Sequence, residues 1–513
     1  MSQQFIGAVN KMTSLFKLIQ PAYHPLPQDL SRGDPCAYDQ ALSEKHVEST
    51  PRWYWSLLPW FVAAPLGKTT RKLPKATSTS YLNGFRGIAC LIVYTEHVNI
   101  HYFREFASNP YGAEPASSNH GFSQLPIIRI IYAGKGMVGI FFVLSGFVLT
   151  YSPLKKITAM SKRRWEDRMT TELDALPLTN VPASPTLAAD ELITGLCSSI
   201  LRRGIRLFAP MLVVACMSCL ATWYYPSFSP GNWRANDPTF WEHIWRFVGI
   251  TLPVFNPFQW GTYHPTSFNQ CWTLPVEYRG SMVVFLMCMA TARLSTQARK
   301  IIVLGSAFWA LYLQRGDVFT FLAGMFLAEL RLCPLSDDLP FRLKVPWHIT
   351  YTLSICVLLL SILVMGWPES GPKNVEPFQT LSQFTPSAWR TDAESVAFFW
   401  SYATAPVLLA AVENLPPAQW LLSTAPILYL GEISFAFYLL HWMGFLWPGW
   451  AMMIRMVNVL HWPMDRSFYI MYFTILALLL VSADYFWRLV DEKCVKLGKA
   501  FANWLGIHPK AGN

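Results

Sequence analysis

Ten separate stretches of the chain are almost wholly apolar over about the length a helix needs to cross a bilayer: residues 82 to 103, 134 to 151, 204 to 225, 274 to 292, 301 to 314, 317 to 331, 348 to 366, 396 to 412, 424 to 447 and 468 to 489. About twenty helical residues span the hydrocarbon core, and a helix is one of the two structures that satisfy every backbone hydrogen bond there. The sequence therefore predicts an all-α integral membrane protein, a polytopic bundle of about ten transmembrane helices. Only 14% of the 513 residues are charged, against roughly 25% in a typical soluble domain. The fifth and sixth stretches are the shortest of the ten.

A formal net charge of +10 would suit nucleic-acid binding, but in a membrane protein an excess of Lys and Arg collects in cytoplasmic loops. The distribution decides between them. Between the second and third stretches lie Lys155, Lys156, Lys162, Arg163, Arg164, Arg168, Arg202 and Arg203, with Arg206 just inside the third. Arg293, Arg299 and Lys300 separate the fourth from the fifth, and Lys68, Arg71, Lys72 and Lys75 precede the first. With ten spans all of these fall on one side, opposite the basic-poor segments 104 to 133, 226 to 270 and 448 to 467. Both termini are thus expected in the cytoplasm, in a multi-pass protein of an endomembrane such as the endoplasmic reticulum.

Residues 1 to 80 read as a cytoplasmic arm. Its opening "MSQQFIGAVNKMTSLFKLIQ" has no uninterrupted apolar core and no small-residue cleavage site, so no cleavable signal peptide is expected. Phe5, Val9, Met12, Phe16 and Ile19 recur at helical spacing, which suits a helix on the membrane surface or one packed on the protein. Residues 21 to 50 are polar and contain prolines, and "RWYWSLLPWFVAAPLG" at 52 to 67 is an aromatic interfacial segment too short to span. The membrane domain then runs from 81 to 492. Within it, the charged loop 156 to 190, with Pro177, Pro182 and Pro185, is expected to be poorly ordered. Residues 493 to 513 form a cytoplasmic tail.

Half of the ten cysteines fall inside apolar stretches, and the one C-x-x-C, Cys216 and Cys219, has neither a matching pair nor nearby His ligands. Membrane packing is the expected role, and no metal site is expected. There is no P-loop and no dinucleotide glycine fingerprint.

The first apolar stretch, within "YLNGFRGIACLIVYTEH", carries Arg86 near its beginning and His97 near its end. Eleven residues make three turns plus about 20°, so both side chains share one helix face, about 16 Å apart along the axis. Arg86 suits either snorkelling to the cytoplasmic surface or a functional role. His97 lies deeper, where an ionisable group is costly and usually faces an interior cavity. Two further groups fall in the outer halves of their spans: Glu277 in "CWTLPVEYRGSMVVFL" and His441 in "LGEISFAFYLLHWMGF". A carboxylate can orient an imidazole and stabilise its charged form, so three converging groups of these types would suit proton transfer. Either acid or histidine could instead be an interfacial residue near a helix end.

On the inner side, "LRRGIRLFAP" sets Arg202, Arg203 and Arg206 at the start of the third stretch, with Arg202 and Arg206 one turn apart. They serve as topological anchors or as a phosphate clamp, since guanidinium groups bind phosphate oxygens bidentately. Inner arginines with a deeper histidine suit a ligand having a polyphosphate head and a reactive end that reaches into the membrane. Coenzyme A has that shape.

With these residues in place the chain resembles the acyltransferase 3 family of multi-pass membrane acyltransferases, from about residue 81 to 492. "YLNGFRGIACLIVYTEH" is similar to the family's L-x-G-x-R-G-I-A-x-x-x-V-x-x-x-H opening, and "GMVGIFFVLSGFVLT" to its F-F-V-L-S-G-F signature. "LRRGIRLFAP", "WTLPVE" and "LGEISFAFYLLHW" resemble three further elements in the same order. The chain departs from the pattern at Glu96, where many relatives place an apolar residue or another histidine, and at "VDEKCV", which replaces an acid-x-proline pattern. The wording around "WTLPVEYRGSMVVFL" is closest to fungal members, some of which decorate secondary metabolites and others carbohydrates.

The resemblance implies acyl transfer from acyl-CoA, acetyl-CoA by default, to a hydroxyl of a small molecule, with no permanently bound cofactor. It carries Arg86 and His97 over as a functional pair and Glu277 as a site acid. The expected mechanism has His97 taking the acceptor hydroxyl's proton, Glu277 orienting or charge-stabilising the site, His441 as a second candidate base, and Arg86, Arg202, Arg203 and Arg206 holding CoA phosphates. Ser145 and Ser434 also lie in the resembling motifs, but no G-x-S-x-G elbow accompanies them. A transporter with an intramembrane proton relay is the competing class, and no internal repeat relates the two halves. A carbohydrate or cell-surface glycan is the alternative acceptor.

The topology is tested by reporter fusions. Fusions after residues 20, 175 and 505 should report cytoplasm, and one within 226 to 270 the lumen or exterior; a cytoplasmic 226 to 270 segment would overturn the order of spans.

Overall fold

The structure, a computed structural model, describes residue 55 and residues 58–67, 77–173, 185–225, 237, 239–259, 261–334 and 346–507, with only helical backbone between 163 and 188. The candidate amphipathic helix around Phe5 to Ile19, the arm 21 to 50 and the tail beyond 507 lie outside the described residues. From Leu57 onward the chain is one compact unit. Among the described residues it is helical and contains no strand.

The helices are α1 (Ser80–Tyr102), α2 (Gly134–Leu173), α3 (Pro185–Tyr224), α4 (Phe240–Thr251), α5 (Thr273–Thr291), α6 (Thr296–Tyr312), α7 (Gly316–Leu332), α8 (Trp347–Met365), α9 (Ala393–Glu413), α10 (Ala425–Gly444), α11 (Met464–Phe486) and α12 (Glu492–Trp504). Short π-helical turns extend α10 to Val459 and join α11 to α12. Each of the ten apolar stretches falls on one of these helices. Six of the helical segments are long and apolar enough to cross a membrane: Gly134–Lys162, Ala189–Tyr224, Trp347–Met365, Ala393–Glu413, Ala425–Val459 and Met464–Trp504. The sequence predicts about ten. The other four are α6 and α7, of 17 residues each and so only about 25 Å long, and α1 and α5, which include Arg86 with Glu96 and Glu277 with Arg279.

In the region expected to be poorly ordered, 156 to 190, the two ends are helical, and residues 174 to 184 lie outside the described residues. Helix α2 continues through it to Leu173, and α3 begins at Pro185. Lys, Arg, Glu, Met and Leu are good helix formers, so the charged stretch prolongs α2; Pro185 takes the first helical position, where its missing N–H costs nothing. The interfacial segment ahead of α1 also has a fixed place. A turn at Trp60–Ala63 lays Trp60 flat on Tyr429, ring centroids 4.9 Å apart, and the Trp60 backbone N–H donates to Asp484.

The helix pair that positions the site is α1 against α10. A Cβ at Gly87 would lie 2.6 Å from the backbone nitrogen of Gly431, and one at Gly431 would lie 2.3 Å from the carbonyl oxygen of Asn83. Only residues without side chains allow backbones to approach so closely, as small residues do between membrane helices generally. The Cys90 thiol donates to the carbonyl of Ser434, 344 residues away, and Gly87 to Gly431 and His97 to His441 repeat that offset. A constant offset means that the two helices run parallel in one register. Helix α2 meets α7 in the same way, since a Cβ at Gly146 would lie 2.1 Å from the carbonyl oxygen of Phe321.

Outward faces carry exposed apolar side chains, among them Trp309 on α6, Leu353 and Leu360 on α8 and Phe473 on α11. Such continuous apolar exposure suits contact with lipid. At the outer end, His243 of α4 is fully buried, its Nδ1 on Asp237 and its Nε2 on the hydroxyl of Thr222. Asp237 also pairs with Arg246. This ties α4 to the end of α3. Asp392 caps α9, and hydrogen bonds from Ser395 hold its carboxyl below the usual range.

Gly431→Ala should lower the thermal midpoint in detergent by the equivalent of about 1–3 kcal/mol, the usual cost of overpacking. Gly305→Ala, where a Cβ would meet nothing within 4 Å, is the matched control and should not lower it. Equal midpoints for the two variants would overturn the contact.

Candidate active site

A cavity of about 1310 Å³ opens inside the bundle, its wall running along α1 from Leu82 to Ile100 and along α2 from Gly134 to Tyr151. The eighteen-residue step from Leu82 to Ile100 is a rise of about 27 Å, so the cavity extends over most of the length of a membrane span. Its polar groups lie in two layers.

The first layer centres on His97. This imidazole is half-buried on the cavity wall, and no hydrogen bond to its ring nitrogens exists among the described residues. His441 lies behind it, 1% exposed, with the two rings nearly parallel at 12° and centroids 5.3 Å apart. The Nδ1 of His441 donates to the carbonyl of Tyr438 at 2.6 Å. A carbonyl can only accept, so in the neutral ring the hydrogen is on Nδ1 and Nε2 keeps its lone pair. That Nε2 is buried without a hydrogen-bond partner. Trp442 stands edge-on to His97 at 5.1 Å and shares the cavity wall. The spacing that brings the histidines together is legible afterwards in the sequence: Gly87 to His97 and Gly431 to His441 are equal intervals on parallel helices.

The second layer lies deeper toward the inner side. Arg86 donates through Nε to the hydroxyl of Ser434 at 2.9 Å and through its terminal nitrogen to Asn83 and to the carbonyl of Gly431. Glu277 accepts from the Ser145 hydroxyl at 2.9 Å and from Arg203 at 2.6 Å, and Arg203 donates also to Ser281. Arg206 is exposed on the wall and makes no hydrogen bond or close ion pair among the described residues, though its charge acts on Asp491.

The two layers are about 15 Å apart. The backbone N–H of Lys135 donates to Glu96, next to His97; Ser145, bonded to Glu277, lies ten residues further along α2, and Arg86 ten residues back along α1, each a rise of about 15 Å. This corrects the expectation that Glu277 shares the depth of the histidines. Helix α5 starts after a 3-10 turn, Asn269–Trp272, well below the outer ends of α1 and α2, so position within the helix misstates depth. Glu277 belongs with the arginines and makes no hydrogen bond to His97 or His441.

The inner arginines separate as well. Arg203, Arg206 and Leu207 face the cavity. Arg202 does not: its Nε donates back to the carbonyl of Ser198, and its side chain packs on Gly498 of α12. The facing arc is centred on Arg203 and Leu207, four residues apart, which turns Arg202 to the neighbouring helix.

Some wall residues gave no sequence signal. Glu96, a departure from the family pattern, is a structural group: it caps the start of α2, where a Cβ on Gly134 would lie 2.0 Å from its Oε2. Lys135, at the start of α2, pairs with Glu369 at 3.3 Å and Glu394 at 3.7 Å, and Arg279 and Arg315 both pair with Asp317. Tyr438 meets the Thr273 hydroxyl at 2.6 Å. Apart from Arg315 and Asp317, which are two residues apart, these pairs join segments distant in sequence, and no local spacing announces them.

A sequence profile described as an acyltransferase domain matches residues 79–488. The O-acetyltransferase PaAT-1 of Phomopsis amygdali is 27% identical over an alignment covering 82% of this chain and 84% of that protein. The acyltransferase clz18 of Cochliobolus lunatus is 20% identical over 71% of this chain and 82% of its own. No solved structure matches.

If Glu277 compensates Arg203, Glu277→Leu alone should destabilise the protein by about 3 kcal/mol, because it strands a charge in the interior, and adding Arg203→Met should recover part of that loss. Thermal midpoints of the single and double variants measure it; a double variant no better than the single would refute the pairing.

Proposed function

The chain belongs to the acyltransferase family whose profile it matches across residues 79–488, and from that premise we propose that it is an integral-membrane O-acyltransferase that moves an acyl group, acetyl first, from acyl-CoA to a hydroxyl of a small molecule in fungal secondary metabolism. One observation carries the reading: His97, an imidazole whose ring nitrogens have no hydrogen-bond partner among the described residues, stands on the cavity wall about 15 Å from a layer of cavity-facing arginines. The pantetheine arm of coenzyme A is about twelve bonds long between phosphate and sulfur, equal to four extended residues, or about 14 Å. With its phosphates on the arginines, the thioester reaches His97.

Arg206 makes no hydrogen bond or close ion pair among the described residues and is the foremost phosphate ligand of the layer. Arg203 shares its charge with Glu277, and Arg86 is largely occupied by Ser434, Asn83 and Gly431, so these two supply field and shape more than open donors. Glu277 keeps the layer from excess positive charge. Arg202 has no place in the clamp.

At the other layer His97 accepts the proton of the acceptor hydroxyl as that oxygen bonds to the thioester carbonyl carbon. The carbonyl electron pair moves onto oxygen and returns as the C–S bond breaks. The CoA thiolate leaves and takes the proton back from the imidazolium. His441 does not touch the cavity; it holds the His97 ring by stacking, itself fixed through the Tyr438 carbonyl. The outer mouth, with Trp272, Phe398 and Tyr402 on its wall, receives the acceptor.

The test supplies purified protein and acetyl-CoA with extract from a strain lacking the gene, and mass spectrometry searches for a new acyl increment. His97→Ala and His97→Gln should reach the membrane at parental levels and form no product. Parental turnover by His97→Ala would remove the base assignment, and activity of His97→Gln alone would reduce the residue to substrate positioning. Arg206→Ala should raise the donor concentration needed about tenfold, with turnover recovered at saturation; Arg202→Ala should not.

A further inference from the structure

A donor gripped at its phosphates extends both ways, with its pantetheine toward His97 and its nucleoside in the opposite direction, toward the inner mouth. The cavity wall there has an aromatic feature that the transfer step does not use. Phe147 and Tyr151, one turn apart on α2, both line the cavity, with ring planes 10° apart and centroids 5.8 Å apart. Tyr151 lies six residues inward of Ser145, about 9 Å beyond the arginine layer. Phe147 is 1% exposed within the core and packs offset-parallel beside the Tyr151 ring, whereas Tyr151 is half-buried and its hydroxyl has no partner among the described residues. Val148, between them, is 57% exposed, so the wall is open at this level. The other aromatic residues described on the wall lie level with the arginines or on the His97 side, the direction the pantetheine arm must take.

We propose that Tyr151, backed by Phe147, is the platform on which the nucleobase of the acyl-CoA donor stacks. The inference rests on the acyl-CoA reading of the same cavity. A rigid ring held by a packed neighbour offers a face to a base at little entropic cost, and such stacking is tolerant of base identity. The affinity gained at the nucleoside end would hold the donor while its thioester waits at His97.

The experiment compares equilibrium binding of acetyl-CoA and of acetyl-4′-phosphopantetheine, which keeps the arm and one phosphate but lacks the nucleoside, to purified full-length protein in detergent. The parent protein should prefer acetyl-CoA. Tyr151→Ala should weaken acetyl-CoA about tenfold, the worth of one base–aromatic stack, and leave the truncated donor unchanged; Tyr151→Phe should bind both as the parent does. Equal weakening of both donors, or of neither, overturns the platform. A parent that binds neither donor instead overturns the acyl-CoA reading. Tyr151→Trp gives a second readout independent of any loss of folding: its added fluorescence should be quenched by acetyl-CoA and not by the truncated donor, and quenching by both or by neither counts against the proposal.

Discussion

Backbone-to-backbone contact between α1 and α10 is the constraint on which the rest of the site depends. Gly87 on one helix and Gly431 on the other leave no room for even a methyl group. Between membrane helices there is little hydrophobic drive to associate, so close packing and hydrogen bonds across the seam supply the attraction. Once the backbones touch, the Arg86 guanidinium reaches the Gly431 carbonyl and the Ser434 hydroxyl, and Cys90 reaches the Ser434 carbonyl. The same register, carried outward three turns, delivers His97 to His441. A pair of helices held a few ångströms further apart would lose both layers together.

The cavity owes its chemistry to how the bundle divides charge. Interior ions are expensive, and most here are compensated by a partner on another helix: Arg203 by Glu277, Arg299 by Glu329, Arg331 by Glu413. Paired groups lock helices; unpaired groups on the wall are the ones open to a ligand. His97 and Arg206 are both of the second kind among the described residues. One can accept a proton and the other can bind an anion, and the bundle keeps them apart by the length of a pantetheine arm. In the proposed function, that separation matches the reach of a long, two-ended donor.

Much of this was legible before any fold was known. The shared face of Arg86 and His97 followed from their spacing alone, and the apolar stretches mark the helices because lipid imposes one length and one secondary structure. The extent of α2 was not legible, because a charged run beyond the membrane reads alike as loop or as protruding helix. Nor was the exclusion of Arg202: the three arginines spread over an arc of about 100° on one side of the helix, and only the neighbour on each side decides which one meets the cavity.

The sequence by itself determined that this is a helical membrane protein of the acyltransferase family and named the imidazole and the cations of its site, since composition, spacing and ordered motifs are local properties. The tertiary structure alone decided which groups meet. Glu277 stands two residues before Arg279, yet the first pairs with Arg203 of α3 and the second with Asp317 of α7. Depth, pairing and access depend on where each helix begins relative to the others, and that is set by contacts between residues hundreds of positions apart, about which local spacing carries no information.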